Sequence, residues 1–387
     1  MAIPLAYNLR NLRVRKAATL MTAGGIALVV AVLVLTLALA SGFQRTLVAT
    51  GRADNLHALR TGATSEIESG IARDVARVML ADEAVARQAD GQPIASAECV
   101  VLTTLARRGS QTTSNVSVRG VGPGARALRP ELRLVAGRYF NAGQDEVVVG
   151  RGAADRFRGA GLGESLRFGA RDWRVVGVFE AAGSAFESEI WGDAELLMPA
   201  FDRDGYSSLT LRLADPGRFA TAKARLEADP RLRVDLRRES DFYAAQSQQL
   251  AGLLRGLGFF LVVVMAFGAV FGALNTMYAA VGARAKEIGT LLAIGFRPWQ
   301  VMTSFLFESL LISLAGGLLG CLLALPIHGV STGTTNWSSF SEVAFRFRIT
   351  PGILLTGLIA SLALGLIGGW FPARSAARRV IAEALRS

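Results

Sequence analysis

The sequence predicts a polytopic α-helical membrane protein with four transmembrane helices and a large α+β extracytoplasmic domain inserted between helices 1 and 2. The 387 residues are 51% hydrophobic and only 19% charged, which is more apolar than an ordinary soluble enzyme. Four stretches without lysine, arginine, aspartate or glutamate are each long enough to cross a bilayer, which takes about 20 apolar residues. Most of the charge lies between the first two stretches, in a block large enough for a core of its own.

The apolar stretches and the charge pattern together define the predicted segments. The transmembrane helices are predicted over residues 17–42, 251–282, 300–326 and 351–371. The extracytoplasmic parts are a domain with stalk ends over 43–250 and a polar loop over 327–350. The cytoplasmic parts are an amphipathic N-terminal segment over 1–16, a helical connection over 283–299 and a tail over 372–387.

The N-terminal segment has the pattern of a helix that lies in the membrane interface. Leu5, Leu9 and Leu12 recur at three- and four-residue spacing, opposite polar and basic residues, although a flexible basic tail is an alternative. The apolar run that follows is about 26 residues long, whereas the core of a secretory signal has roughly 7–15. We therefore expect an uncleaved transmembrane helix.

The basic excess of the chain predicts its orientation. The formal net charge is +11, yet residues 45–250 carry 28 basic and 27 acidic side chains. The excess lies mainly in the N-terminal segment, the connection between helices 2 and 3, and the tail. In a four-span protein these parts share one side, which the positive-inside rule places in the cytoplasm together with both termini. The charge thus indicates a plasma (inner) membrane protein that contacts anionic lipids, and no nucleic-acid partner.

The extracytoplasmic block reads as mixed α/β. Helical spacing predicts helices over Glu66–Leu80 and Phe219–Leu226. The predicted strands are Val100–Leu105, Val116–Val118, Glu146–Val149, Leu166–Phe168, Trp173–Phe179 and Leu209–Leu213. We expect two lobes, a helical part near the membrane and a strand-rich insertion around residues 96–200.

The second span is predicted to extend beyond the bilayer. Ser240 is a plausible N-cap, and sequence compatible with a helix continues from Asp241 to Val281 without proline. At 1.5 Å per residue this is about 60 Å, roughly twice the hydrocarbon thickness. The excess would form an external stalk, which residues 43–55 could accompany; a loop before a shorter helix is the alternative.

The connection RAKEIGTLLAIGFRPWQV, residues 284–301, predicts a short amphipathic helix followed directly by span three. Ile288, Leu291 and Leu292 fall on one face. The other sides carry Arg284, Lys286, Glu287 and Thr290. Gly295 suits the left-handed residue after a helix, and Pro298 suits the first turn of the next. We expect an apolar ridge rimmed by charge that docks in a partner's groove, with a helix floating in the interface as the alternative.

The sequence contains no recognisable motif for nucleotide binding, metal binding or catalysis. The lysines are Lys16, Lys223 and Lys286, and none follows a glycine, which excludes the phosphate-binding G-x-x-x-x-G-K-[ST] loop. No Cys/His cluster has metal-ligand spacing and nothing arranges a nucleophilic triad. We therefore predict no catalytic residue, no cofactor-binding residue and no metal site in this chain.

Glu308 is the acidic residue that stands inside a predicted span. An intramembrane acid is often functional. The alternative, which we favour, is an ion pair near the inner interface with Arg284 or Arg297.

These segments together resemble a known family. AKEIGTLLAIGFRPWQV followed by FLFESLLISLAGGLLG is similar to the central motif of MacB/FtsX-type ABC transporter permeases, a group that includes LolC/LolE and DevC-like proteins. NLRNLRVRKAATLMTAGGIAL, SGFQRTL and PARSAARRVIAEALRS also fit that group. In the outer block, LRPELRLVAGRYF, EVVVGRGAADRF and WRVVGVFE resemble the MacB periplasmic domain.

The resemblance implies a permease subunit that is powered by a partner. A homo- or heterodimer of permeases would bind cytoplasmic ABC ATPase subunits, which hold ATP and Mg. The resemblance leaves open whether a periplasmic adaptor is a further partner. The ATPase is expected on a separate chain because no fused ATPase precedes span one. The ATPase-coupling residues would be Arg284, Lys286, Glu287, Ile288, Leu291, Leu292 and Gly295.

Two functions remain open at this stage. One is mechanotransmission, in which ATP hydrolysis drives extracytoplasmic extrusion or release of a lipid-linked, lipoprotein or peptide substrate. The other is an FtsX-like signalling scaffold that regulates a cell-wall hydrolase without transport. A channel is disfavoured because no predicted span carries a polar stripe.

Overall fold

The computed structural model describes residues 16–337 and 339–378. The predicted amphipathic N-terminal segment, apart from Lys16, and the end of the predicted tail therefore lie outside the described residues. The described chain divides into two compact units. A helical unit comprises residues 16–41, 252–330 and 347–378, and an α/β unit comprises residues 42–251 and 331–346.

The secondary structure of the described residues is as follows. The helices are α1 (Lys16–Val48), α2 (Arg73–Leu80), α3 (Ala125–Leu128), α4 (Arg151–Arg156), α5 (Ala194–Ala200), α6 (Phe219–Ala228), α7 (Glu239–Ala283), α8 (Ala285–Ala293), α9 (Pro298–Ala324) and α10 (Pro351–Ala377). The strands are β1 (Asn55–Arg60), β2 (Ala95–Ala106), β3 (Thr113–Val121), β4 (Arg133–Gly137), β5 (Glu146–Gly150), β6 (Ser165–Phe168), β7 (Arg171–Glu180), β8 (Ile190–Asp193), β9 (Ser208–Arg212), β10 (Val234–Arg238), β11 (Ser331–Asn336) and β12 (Ser341–Arg346).

Four of the described helices, α1, α7, α9 and α10, are long and apolar enough to cross a membrane, as the sequence predicts. Helix α7 is one helix of 45 residues that begins at Glu239, which confirms the predicted continuation of the second span from Asp241. The alternative of a loop before a shorter helix is wrong. Helix α1 continues to Val48, beyond the end predicted for the first span at residue 42.

Small residues allow close packing in the helical unit. A Cβ atom on Gly365 of α10 would lie 2.1 Å from Ser313 Oγ of α9, and one on Gly320 of α9 would lie 2.5 Å from the carbonyl oxygen of Ala27 in α1. The Ser309 hydroxyl donates to the Gly365 carbonyl at 2.7 Å. Such small residues let helix backbones approach closely, which favours helix association inside a lipid bilayer, where the hydrophobic effect does not drive it.

The α/β unit is built on one mixed sheet. Its described strands follow the order β10-β1-β9-β2-β3-β8-β5-β7-β4, with β6 added to β7. The long strand β2 pairs with β9 over residues 95–98 and with β3 over residues 99–106. One hydrophobic cluster centres on β3, β5 and β7, and a second lies where β1, β9 and β10 meet α2 and α6. Both predicted lobes therefore contain strands, which corrects the expectation of a helical first lobe.

The predicted helix Glu66–Leu80 forms only from Arg73. The residues before it bind elsewhere: the Ser69 hydroxyl accepts a hydrogen bond from the Arg60 amide at 2.9 Å, and Glu66 forms a buried ion pair with Arg119. Tertiary contacts of these polar side chains thus override the helical spacing of the segment.

The polar connection predicted as a loop over 327–350 contains a β-hairpin. Strands β11 and β12 pair antiparallel from Ser331 opposite Arg346 to Asn336 opposite Ser341. The hairpin is grouped with the α/β unit, whereas the residues at its base belong to the helical unit.

Candidate functional site

Helix α8 is a single short helix between the long helices α7 and α9. Arg284 is its N-cap residue, and the helix ends at Ala293 with Ile294 as its C-cap. Gly295 has φ +102°, and its amide donates to Leu292 while the Phe296 amide donates to Leu291. These two bonds form a Schellman motif, which explains the glycine at this position.

The inner face of α8 packs within the helical unit. Ile288 is 1% exposed and belongs to a cluster with Val281, Val301 and Phe305, against which Leu292 is partly buried. The apolar ridge that the spacing predicts thus exists, but Ile288 turns toward this chain's own helices. This corrects the expectation that the ridge as a whole faces outward.

The outer face of α8 is exposed. Lys286, Glu287 and Thr290 stand on it, and the Thr290 hydroxyl donates to the Lys286 carbonyl at 2.9 Å. Beyond the helix, Ile294 is 72% exposed and Trp299 is 58% exposed. This surface, which we call the outer face (Lys286, Glu287, Thr290, Ile294 and Trp299), combines charge with large apolar side chains.

A buried ion pair joins the start of α8 to α9. Arg284 Nη1 lies 3.0 Å from Glu308 Oε2, and both residues are buried. Arg284 Nε also lies 3.1 Å from Glu287 Oε2, and its guanidinium stands 4.8 Å from the centre of the Phe305 ring. Of the two partners expected for Glu308, the structure therefore has Arg284. Breaking such a pair on one side leaves an uncompensated charge in a low-dielectric environment.

A second polar cluster lies inside the α/β unit, and sequence reasoning missed it. The Arg119 guanidinium binds Glu189 (Nε–Oε2 2.7 Å), Glu66 (Nη1–Oε1 2.7 Å) and Glu98 (Nη1–Oε2 2.8 Å). Arg129 Nη1 binds Glu98 Oε1 at 2.7 Å. All five side chains are buried. The available signal was weak: Glu98 and Arg119 are charged residues within apolar strand sequences.

The electrostatics of this cluster favour the ionised form of Glu66 and Glu98. Burial alone would raise the pKa of Glu66, but the Arg119 guanidinium outweighs it and lowers that pKa to about 2. Burial likewise opposes ionisation of Glu98, yet Arg129 and Arg119 bring its pKa below the usual range. Glu239, at the start of α7, is the exception, because burial raises its pKa. The cluster thus consists of buried ion pairs between side chains of different elements of the α/β unit.

Metal chemistry finds no support in the described part of the chain. Within residues 16–337 and 339–378, no group of three or more His, Cys, Asp and Glu side chains is placed to hold a metal ion. Cys99 and Cys321 are both buried and free. The expectation of a chain without catalytic, cofactor-binding or metal-binding residues stays a prediction.

Four membrane-length helices, an α/β unit and a short packed helix between two of the long helices define a multi-pass membrane protein of the permease class. Comparison with known families matches residues 19–229 to the MacB-like periplasmic core domain and residues 259–381 to the FtsX-like permease C-terminal domain. The chain belongs to the MacB/FtsX-type family of ABC transporter permeases, as the resemblance indicated.

Curated relatives agree with this assignment. The chain is 28% identical to the macrolide export ATP-binding/permease protein MacB of Bordetella avium, over 98% of this chain and 59% of that protein. It is 27% identical to MacB 1 of Aeromonas hydrophila, over 92% of this chain and 56% of that protein. The chain thus spans less than two thirds of the length of these relatives.

A solved structure is also similar. The periplasmic region of MacB from Actinobacillus actinomycetemcomitans matches with 15% identity and a TM-score of 0.37, over 50% of this chain and 91% of that structure.

Proposed function

We propose that the chain is the permease subunit of a MacB/FtsX-type ABC transporter that takes its energy from a separate cytoplasmic ATPase subunit. The observation that carries this proposal is the two-sided character of α8. Its inner side is packed through Ile288 and tied to α9 through Arg284 and Glu308, while its outer face is exposed. A short helix held in this way can receive a push on one side and pass it to the long helices on the other.

The proposal assigns ATP and Mg to the ATPase subunit. These 387 residues contain no G-x-x-x-x-G-K-[ST] loop, and the relatives that they match over part of their length are named ATP-binding/permease proteins. The basic charge around α8 supports a cytoplasmic position for this helix and both termini by the positive-inside rule, with residues 43–250 on the other side of the membrane. A permease dimer and a periplasmic adaptor complete the proposed assembly.

The proposed mechanism is mechanotransmission. Closure of the ATPase on the outer face would shift α8, and the Arg284–Glu308 ion pair would carry the shift to α9. Helix α7 ends next to α8 and continues without a break to Glu239 within the α/β unit, so it would carry the same shift along its axis. The substrate would be a lipid-linked molecule, a lipoprotein or a peptide, to which the names of the relatives add macrolides.

The experiment is co-purification of an ATP-binding chain with the tagged protein from its native membrane. The double variant Lys286→Glu with Ile294→Asp changes the charge and apolar contact of the outer face, and we expect at least tenfold less ATPase in the eluate. Lys223→Glu on α6 makes the same charge change in the α/β unit and is the control. Equal recovery of the ATPase with both variants would refute docking on the outer face.

The FtsX-like scaffold remains the second candidate, favoured by the FtsX-like match over residues 259–381. The two functions differ in what ATP turnover produces. Reconstituted complexes should release or move a lipid-linked, peptide or macrolide substrate if the chain is a transporter. Stimulation of a cell-wall hydrolase by the same complexes, without movement of any such substrate, would assign the scaffold function instead.

A further inference from the structure

The β11–β12 hairpin occupies an unusual place in the chain. It follows α9 and precedes α10, both in the helical unit, yet residues 331–346 are grouped with the α/β unit. At its base the Phe347 amide donates to Val330 at 3.1 Å and the Gly329 amide donates to Phe347 at 2.9 Å, all within the helical unit. The hairpin is thus a covalent connection between the units, in addition to α1 and α7.

The hairpin is attached to the rest of the α/β unit through side chains and not through backbone pairing with the large sheet. Among the described strands, β11 and β12 form a two-stranded sheet of their own, separate from the large sheet. An isolated two-stranded hairpin is at best marginally stable, so its order depends on these attachments. They include the Ala344 amide donating to Ser188 Oγ at 2.8 Å and the Asn336 side chain donating to Gln246 at 3.3 Å.

The strongest attachment is a buried carboxylate. Glu342 on β12 is 4% exposed. Its Oε1 atom accepts from Arg156 Nη1 at 2.7 Å, and its Oε2 atom accepts from Arg107 Nη2. Arg156 is the last residue of α4 and Arg107 directly follows β2, so one hairpin side chain binds two separate elements of the α/β unit. Charge-assisted bonds of this kind are about twice as strong as neutral ones.

Gly333 makes room for this ion pair. A Cβ atom on Gly333 would lie 1.9 Å from Arg156 Nη1 and 2.5 Å from Glu342 Oε1. Its backbone does not have a positive φ, so the reason for glycine here is space, and a side chain would displace the ends of Arg156 and Glu342. We call Glu342 with Arg107 and Arg156 the latch.

The surface beneath the hairpin is mixed in character and incompletely filled. A cavity of about 30 Å³ lies there, with room for one or two water molecules. Its lining includes polar side chains such as Tyr243 and Glu342 and apolar ones such as Val343. The Tyr243 hydroxyl, which is buried, has no hydrogen-bond partner in the described part of the chain. Apolar packing also holds the hairpin, because Val343 and Phe345 of β12 are buried and the Phe345 ring lies 5.6 Å from the Phe43 ring.

We propose that the hairpin is a strap, held by the latch, through which α9 and α10 act on the α/β unit. The latch lies within one chain and does not depend on the ATPase or on any other partner. Its transmitting role rests on the proposed function, since ATP-driven movement of α9 and α10 would pull on the strap from its base.

Hydrogen exchange of the full chain in lipid nanodiscs tests the latch. Glu342→Gln removes the charge and Gly333→Ala fills the space, and we expect each to speed amide exchange in β11 and β12 at least tenfold while β3, β5 and β7 stay unchanged. The matched controls are Glu164→Gln, which breaks an exposed pair with Arg108, and Gly70→Ala, where a Cβ meets nothing within 4 Å. Unchanged exchange in the hairpin, or faster exchange throughout the large sheet, would overturn the latch.

The same measurement on the complex with its ATPase tests the transmitting role. We expect ATP to change hairpin exchange in the unsubstituted complex, and Glu342→Gln to keep ATPase binding while it loses coupling between ATP turnover and the α/β unit. An ATPase that binds without any ATP-dependent change in the hairpin would overturn the transmitting role. Absence of any bound ATPase would overturn the proposed function and the transmitting role together, but not the latch.

Discussion

The guanidinium of Arg284 lies 3.0 Å from the carboxylate of Glu308, and both groups are buried in the helical unit. The two residues stand at the start of α8 and within α9, so the pair fixes the position of the short helix against the long one. The large apolar side chains of α8 alone would allow it to slide. A directional ion pair resists such sliding, as the proposed transmission of movement from α8 to α9 requires.

Removal of one partner of this pair should destabilise the protein strongly. For Glu308→Gln we expect a loss of about 3–5 kcal/mol, because Arg284 then keeps a buried charge without its partner on α9. Arg284→Met combined with Glu308→Met should recover most of the loss, since both charges are gone. Thermal unfolding of the purified chain in detergent measures both. A single variant as stable as the unsubstituted chain would show that the pair contributes little.

The turn after α8 should not accept a side chain. Gly295 has φ +102°, where an L-residue is strained by about 1–2 kcal/mol, so Gly295→Ala should loosen the C-terminal end of α8 and speed its amide exchange. Gly282→Ala is the matched control, because Gly282 lies inside α7 with nothing within 4 Å of its Cβ position. The control should be neutral or stabilising by about 0.5–1 kcal/mol. The same response from both would contradict the assigned turn geometry.

Acid should destabilise the α/β unit in a defined pH range. The pKa of Glu66 is lowered from 4.5 to about 2 in the folded state, so its contribution is present above pH 4.5 and is lost as the pH falls toward 2. The shift corresponds to roughly 3 kcal/mol. Fluorescence of the buried Trp173 and Trp191 reports the unfolding. Glu66→Gln should flatten the decline and the exposed neighbour Glu68→Gln should not; a pH-independent stability between 4.5 and 2 would refute the effect.

Two buried glutamates that face the same arginine should respond in opposite directions. Burial and the Glu98 carboxylate raise the pKa of Glu239 despite Arg129 at 3.5 Å, so its charge is unfavourable at pH values above its folded pKa. Glu239→Gln should therefore stabilise the chain at high pH, and the gain should vanish at low pH, where the carboxyl group is protonated. Glu98→Gln, which removes a carboxylate of lowered pKa, should destabilise at neutral pH. Chemical denaturation at several pH values measures both; a gain from Glu239→Gln that persists in acid would contradict the assignment.

The sequence predicts the apolar elements well, because hydrophobicity and period are local properties. The four long helices and strands such as β7, with the sequence RDWRVVGVFE, stand out from the residues alone. Strands β1 and β10 do not, because NLHALR and VDLRR contain polar side chains that only tertiary partners satisfy. The Asn55 side chain, for example, donates to Glu239, 184 positions away in the chain.

The candidate site could be predicted in part for the same reason. Spacing identifies the apolar face of α8 and the role of Gly295, since both follow from local geometry. It does not decide the side to which Ile288 turns, because that depends on the packing of α7, α9 and α10. The latch brings together Arg107, Arg156 and Glu342, residues whose positions in the chain give no sign of contact.

The shared strand β2 has a consequence for how the α/β unit comes apart. Residues 95–98 pair with β9 beside one hydrophobic cluster, and residues 99–106 pair with β3 within the other. Neither cluster can lose its edge of the sheet without exposing the backbone of the other. Thermal unfolding of the α/β unit should thus be cooperative, with one calorimetric transition. If the chain is divided within β2 at Cys99, neither of the two fragments should keep a native structure on its own.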